Sequence, residues 1–178
     1  LPIWSRPGIP ISQLPIPPDT VMKALIAGGG IGGLTAALAL AARGWDVEVL
    51  EQAPVLSEVG AGLQLSPNAM QVMRALELEE AVAAVAFRPE ALELRLGESG
   101  QGVFSIPAGA AAEARWGAPY LHVHRHDLLG VLAEALRVRA PEAIRLSARV
   151  IGYTHLPRGV RALLENGSTL DADLLVGA

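Results

Sequence analysis

The chain contains no cysteine. Disulfides, thiolate metal sites and cysteine nucleophiles are therefore excluded, and a reducing, cytoplasmic setting is the expectation. Aromatic residues make up only 4% of the 178 positions, so a core has to be assembled from Ala, Val, Leu and Ile. There is no basic block and the formal net charge is −4, which argues against nucleic acid as a partner. No uninterrupted apolar run reaches the roughly 20 residues of a membrane-spanning helix. What the chain does have is 51% hydrophobic residues and a positive mean hydropathy. That suffices for a sizeable core in one domain, or in one domain and part of another.

The first twenty residues do not resemble the rest. Six of them are proline (Pro2, Pro7, Pro10, Pro15, Pro17, Pro18), which forbids helix and favours extended, solvated backbone. The prolines also interrupt any apolar stretch of the kind a secretory signal needs. Residues 1–21 are thus expected to be an unstructured extension foreign to the domain, with Met22 directly before the first strand. Residues 22–178 form the domain proper.

The organising stretch follows. Val21 to Ala27 is a mostly apolar run of strand length. Gly28, Gly30 and Gly33 come next at G-x-G-x-x-G spacing, and Ile31 to Arg43 reads as an alanine-rich helix. Gly44 stops that helix, Asp46 to Leu50 reads as a second strand, and Glu51 stands at its end. In such a unit Gly28 permits the tight turn, Gly30 lets a pyrophosphate approach the backbone, and Gly33 lets the helix pack close on the sheet. The helix N-terminus supplies unpaired N–H groups to the phosphates. Glu51, 23 residues after Gly28, is placed to accept hydrogen bonds from a ribose diol. Strand, helix, second strand and terminal acid in this order predict dinucleotide binding.

Further along, Val55 to Leu65 reads as a loop carrying Gly60 and Gly62. Ser66-Pro67 has the form of an N-cap and first helical residue, opening a helix to Leu76 with Val72, Met73 and Leu76 on its buried side. Ser66 is therefore a cap and not a nucleophile. A short helix is expected over Glu79 to Val85, then a half-buried strand over Ala91 to Leu96 with Val103 to Ile106 pairing back. Pro107 to Gly117, small and alanine-rich, reads as loop. Tyr120 to His124 is a strand, and Asp127 to Arg139 an amphipathic helix with Leu128, Leu132 and Leu136 in register. Ile144 to Leu146 and Arg149 to His155 are strand candidates. Val160 to Leu164 and Ser168 to Ala172 flank Asn166-Gly167, a hairpin signal. Leu174 to Val176 reads as a buried strand.

Four stretches together resemble the flavin-dependent aromatic hydroxylases, the salicylate-hydroxylase-like group A monooxygenases. They are K-A-L-I-A-G-G-G-I-G-G-L-T-A-A-L-A-L from Lys23, E-V-G-A-G-L-Q-L-S-P-N-A from Glu58, G-A-P-Y-L-H-V-H-R-H-D-L from Gly117 and D-A-D-L-L-V-G-A from Asp171. The fold this implies is α/β, a Rossmann-like FAD-binding βαβ core with an antiparallel β-hairpin insertion. The resemblance implies that Gly28, Gly30, Ile31 and Gly33 contact the FAD pyrophosphate and Glu51 the adenosine ribose. It implies that the Gly60–Gly62 loop runs close to the flavin, that Arg125 touches FAD, and that Val150 offers backbone near the adenine. NADH or NADPH would be the co-substrate, O₂ the oxidant and a small phenolic acid the substrate. In the family the V-G-A run continues into an FAD-binding Asp-Gly pair and the rest of a substrate domain, both beyond Ala178. The expectation is therefore an N-terminal piece that binds FAD weakly alone and yields peroxide in place of hydroxylated product.

Two other function classes stay open: a nicotinamide dehydrogenase, whose first fifty residues would look much the same, and a non-catalytic nucleotide-binding module, which the expected N-terminal piece would be if it cannot turn over alone. The E-V-G-A-G and H-R-x-D-L stretches count against the dehydrogenase. His122, His124 and His126 are spaced H-x-H-x-H, which on a strand would share one face. No carboxylate or cysteine completes a ligand set there, so no metal is expected.

Overall fold

The computed structural model describes residues 21–56 and 60–178. The proline-rich extension lies outside the described residues, as do Glu58 and Val59 of the E-V-G-A-G stretch. In chain order the elements are β1 (Lys23–Ala27), α1 (Ile31–Ala41), β2 (Asp46–Leu50), β3 (Gly62–Leu65), α2 (Pro67–Ala75), α3 (Glu79–Ala84), β4 (Ala86–Phe87), β5 (Ala91–Arg95) and β6 (Gly102–Pro107). They continue with α4 (Ala110–Trp116), β7 (Leu121–His124), α5 (Arg125–Arg139), β8 (Ile144–Arg145), β9 (Val150–His155), β10 (Val160–Leu164), β11 (Thr169–Ala172) and β12 (Leu174–Gly177). The chain divides into two compact units, one of residues 60–127 and one whose described parts are 21–56 and 128–178.

The second of these contains the glycine motif. Its parallel sheet has the order β12-β1-β2-β8, so the last strand of the chain lies beside the first. Ala24, Leu25 and Ile26 of β1 are fully buried, as expected of a strand flanked on both edges. The chain crosses from β1 to β2 through α1, whose Gly33, Leu34, Ala37 and Leu38 are buried. The helix ends at Ala41, two residues short of the expected Arg43. A turn through Gly44, at φ +77°, carries the chain into β2. β9, β10 and β11 form an antiparallel meander. The β10–β11 hairpin turns at Asn166-Gly167 as predicted, with Gly167 in the left-handed region at φ +82°. Leu25, Leu50, Ala148, Ala162 and Leu164 make one cluster that ties the meander to the parallel sheet. β12, expected to be buried, is only half-buried over Leu174–Val176.

The other unit is built on the antiparallel sheet β3-β7-β4. Leu65, Leu121 and Val123 point from it into a core with Met70, Met73, Leu76 and Val82. Several sequence expectations need correction here. Gly62–Leu65 is a strand and not loop, because β7 supplies a full antiparallel partner. Pro107 to Gly117 contains helix α4, opened after Gly109, closed by Gly117 at φ +74° and anchored by buried Ala112. In α2 the buried side runs through Met70 and Met73, while Val72 is 41% exposed; starting the helix at Pro67 sets that phase. The β5–β6 ribbon pairs as expected, but Leu94 and Phe104 are about half exposed, because it is only two strands wide. Ser66 holds the N-cap position of α2, yet its hydroxyl bonds the Asn68 side chain and no backbone N–H.

Candidate functional site

The turn between β1 and α1 is built by steric necessity. Gly28 sits at φ +120°, outside the range of ordinary L-residues. A Cβ on Gly28 would stand 2.3 Å from the carbonyl oxygen of Ala178, at the end of β12. A Cβ on Gly33 would stand 1.9 Å from the carbonyl oxygen of Gly28, so the first turn of α1 lies directly on the glycine turn. Gly30 is the N-cap of α1, and having no side chain it makes no capping bond. No acid lies in the first helical turn either. The leading N–H groups and the positive end of the helix dipole are thus left to an anion.

Glu51 closes the other side. Its Oε2 accepts from the Gly29 N–H at 2.6 Å and its Oε1 from the Ala53 N–H at 2.8 Å. Its own backbone is tied on both sides, N–H to Arg145 O and carbonyl to Ala148 N–H. A carboxylate has about four acceptor positions, so two occupied by backbone leave room for a pair of hydroxyls. Gly29, Gly30, Glu51, Ala53, Val55, Leu56 and Leu129 line a recess of about 120 Å³ here. That is well below the roughly 300 Å³ at which pockets for whole small ligands begin. It suits one sugar-sized moiety of an extended molecule.

The structure therefore brings Gly28, Gly30, Gly33 and Glu51 together as expected, with Ile31 opening the helix beside them. It adds Gly29, Ala53, Leu56 and Leu129, which sequence reasoning missed. Gly29 hid inside a glycine run whose spacing directs attention to its neighbours. Leu129 reaches the recess from a helix nearly eighty positions away, and no local signal points to such a contact. Val150 lies elsewhere in this unit, at the start of β9, half-buried and packed on the Leu25–Leu50 cluster.

The other unit holds the second group. Arg125 is exposed at the first position of α5, directly after β7. A Cβ on Gly60 would lie 3.3 Å from Arg125 Cδ, and Gly62 pairs with His124 in the β3–β7 ladder. Gly60, Gly62 and Arg125 are thus neighbours. His122 and His124 are on β7, but His126 belongs to α5, so the three do not share a strand face. No cluster of metal-ligating side chains occurs among the described residues.

A profile described as the FAD binding domain matches residues 21–178. The chain belongs to this family. Relatives include 3-hydroxybenzoate 6-hydroxylase 1 of Aquipseudomonas alcaligenes, 40% identical over 86% of this chain and 39% of its own length. Another is 3-amino-4-hydroxybenzoate 2-monooxygenase of Streptomyces cremeus, 40% identical over 90% of this chain and 40% of its own. Among solved structures, the tetrameric form of 2-methyl-3-hydroxypyridine-5-carboxylic acid oxygenase superposes with TM-score 0.77 at 30% identity, covering 90% of this chain and 40% of that one. Klebsiella pneumoniae HpxO complexed with FAD and uric acid superposes with TM-score 0.74 at 28% identity, covering 86% and 38%. The FAD-binding domain described here thus spans about 40% of the length of the relatives it matches. The expected resemblance to flavin-dependent aromatic hydroxylases and the α/β fold class are both borne out.

Proposed function

We propose that this chain is the FAD-holding part of a monooxygenase that hydroxylates a small phenolic acid with NADH or NADPH and O₂. The observation that carries it is the uncapped N-terminus of α1 facing a carboxylate already held by two backbone N–H groups. That donor-and-acceptor arrangement fits the pyrophosphate and ribose of FAD. FAD, once reduced and in contact with O₂, supplies the oxygen-transfer chemistry. The chain's residues hold and orient it. Gly28, Gly30, Ile31 and Gly33 present backbone to the pyrophosphate, and Glu51 accepts from the ribose hydroxyls. The resemblance assigns Gly60, Gly62 and Arg125 to the flavin portion and the Val150 backbone to the adenine.

The family relatives support a phenolic or heteroaromatic acid as substrate, since such compounds appear in their names. The cytoplasm is the proposed location: the chain is cysteine-free, and no helix among the described residues is long and apolar enough to cross a membrane. The test is to titrate the purified chain with FAD and, separately, with NADH, following flavin fluorescence and heat. Saturable binding of FAD, with none of NADH in its absence, is the expected result. Tight NADH binding without FAD would overturn the reading in favour of a nicotinamide dehydrogenase.

A further inference from the structure

Among the described residues, one face of the β3-β7-β4 sheet contributes no side chain to the buried core of its unit. Leu121 and Val123 of β7 point into that core, so by strand alternation His122 and His124 point to the opposite face, with Tyr120 in the same phase. The antiparallel register sets Gln64 of β3 beside His122 on one flank and Phe87 of β4 beside it on the other. The Tyr120 hydroxyl donates to Gln64 Oε1 at 2.8 Å. With that oxygen engaged, the Gln64 amide presents its NH₂ as donor. The His122 ring has Tyr120 edge-on at 5.8 Å and Phe87 tilted at 6.5 Å. Its Nε2 is the one buried side-chain nitrogen or oxygen, among the described residues, that has no hydrogen-bond partner. Such an atom bears its full desolvation cost unless something else bonds it.

We propose that this face is a subsite for the oxygen-bearing end of a phenolic ring. The ring's hydroxyl bonds His122 Nε2, the Gln64 NH₂ donates to an oxygen of the same ring system, and Tyr120 and Phe87 pack against the aromatic body. Phe87, 67% exposed on a two-residue strand, is the flanking ring with freedom to move aside and admit the ligand. The site is continuous with the Gly60–Gly62–Arg125 group: Gly62–His124 is the adjacent pair on this same face, about 7 Å along the strands. The inference rests on the proposed function for its substrate class.

The experiment uses the full chain, with 3-hydroxybenzoate as probe and imidazole ¹⁵N NMR as readout. There are four histidines, and His122→Phe assigns the relevant signal. The expected result is a saturable shift of His122 Nε2. Gln64→Leu and Tyr120→Phe should each weaken it about tenfold, the effect of one lost hydrogen bond, with backbone spectra confirming that the variants fold. Absence of any His122 shift up to the solubility limit overturns the subsite. A shift that both variants leave unchanged does the same. FAD is titrated into the same sample: flavin binding without a His122 shift overturns the subsite alone. A His122 shift without flavin binding supports the subsite and counts against the flavin reading.

Discussion

Two sets of glycines, one in each unit, serve opposite ends. In the unit of β1, α1 and β2, Gly28 and Gly33 are wedged against backbone atoms, where a Cβ would sit 2.3 and 1.9 Å from a carbonyl oxygen. In the unit of β3 and β7, Gly62 has only ordinary contact distance to its nearest atom. Among the described residues, the nearest atom to a Cβ on Gly60 is Arg125 Cδ, a side-chain carbon at 3.3 Å. The protein's own packing thus requires the first pair and does not require the second. A glycine that packing does not require is free to serve the approach of something else. This contrast separates a turn that shapes the fold from a stretch at the start of β3 whose glycines the resemblance assigns to the flavin.

The comparison breaks most sharply at Gly33→Ala. No rotamer relieves an overlap with the Gly28 carbonyl, so destabilisation should exceed about 3 kcal/mol, beyond usual core overpacking. A denaturation midpoint close to that of the native chain would remove the steric account of the turn. Gly130→Ala is the opposite probe. Gly130 lies exposed inside α5 with no atom of the described residues within 4 Å of its missing Cβ, so alanine should stabilise by about 0.5–1 kcal/mol. Gly60→Ala should stay within about 0.5 kcal/mol of the native chain, since among the described residues a Cβ there meets only side-chain carbons of Arg125, at 3.3 Å or more, and no backbone atom. A large loss there would show that packing does demand the second set of glycines.

An electrostatic effect, also small, is expected within the unit of β3 and β7. Arg74 of α2 forks onto both oxygens of Glu79 at the start of α3 and donates to Gly117 O after α4 at 2.8 Å. Hydrogen bonding from the guanidinium, partly opposed by desolvation, holds the Glu79 carboxyl below its usual range. A depressed carboxylate contributes stability above its unfolded pKa, and that contribution is lost as pH falls through the folded one. The thermal midpoint should therefore fall slightly more for the native chain than for Glu79→Gln on acidification below about pH 4. The difference should be under about 1 kcal/mol, since the pair is partly exposed and screened by solvent. Identical acid profiles would show the bridge to be inert.

How much of this was legible in the sequence follows the same division. β1, α1 and β2 were readable nearly to the residue, because glycine spacing, an alanine-rich helix and a terminal acid are all local signals. So was the Asn166-Gly167 hairpin, whose turn chemistry is local too. The Gly62–Leu65 strand and helix α4 were not. Gly, Ala and Gln carry little periodicity, and each of these elements is fixed by a distant partner: β7 for the strand, a burial site for Ala112 in the helix. In the candidate site, Glu51 was legible from its position after Gly28. Its hold on the Gly29 and Ala53 N–H groups was not, since it depends on how the chain turns after β2. The orphaned His122 nitrogen was invisible for a related reason: burial of a single atom is a property of the whole sheet.

The central claim is that the α1 N-terminus and Glu51 together hold a dinucleotide by phosphate and ribose. Calorimetric titration of FAD into the native chain and into Glu51→Ala tests it most directly. Loss of acceptors for two hydroxyls, each hydrogen bond to a charged group being worth roughly 1.5–3 kcal/mol, predicts at least a ten- to a hundredfold weaker dissociation constant in the variant. The variant also loses the bonds from the Gly29 and Ala53 N–H groups and should unfold at a lower denaturant concentration. Both titrations are therefore run where each protein is folded, which separates binding from folding. Equal affinity of the two folded proteins for FAD would contradict the account.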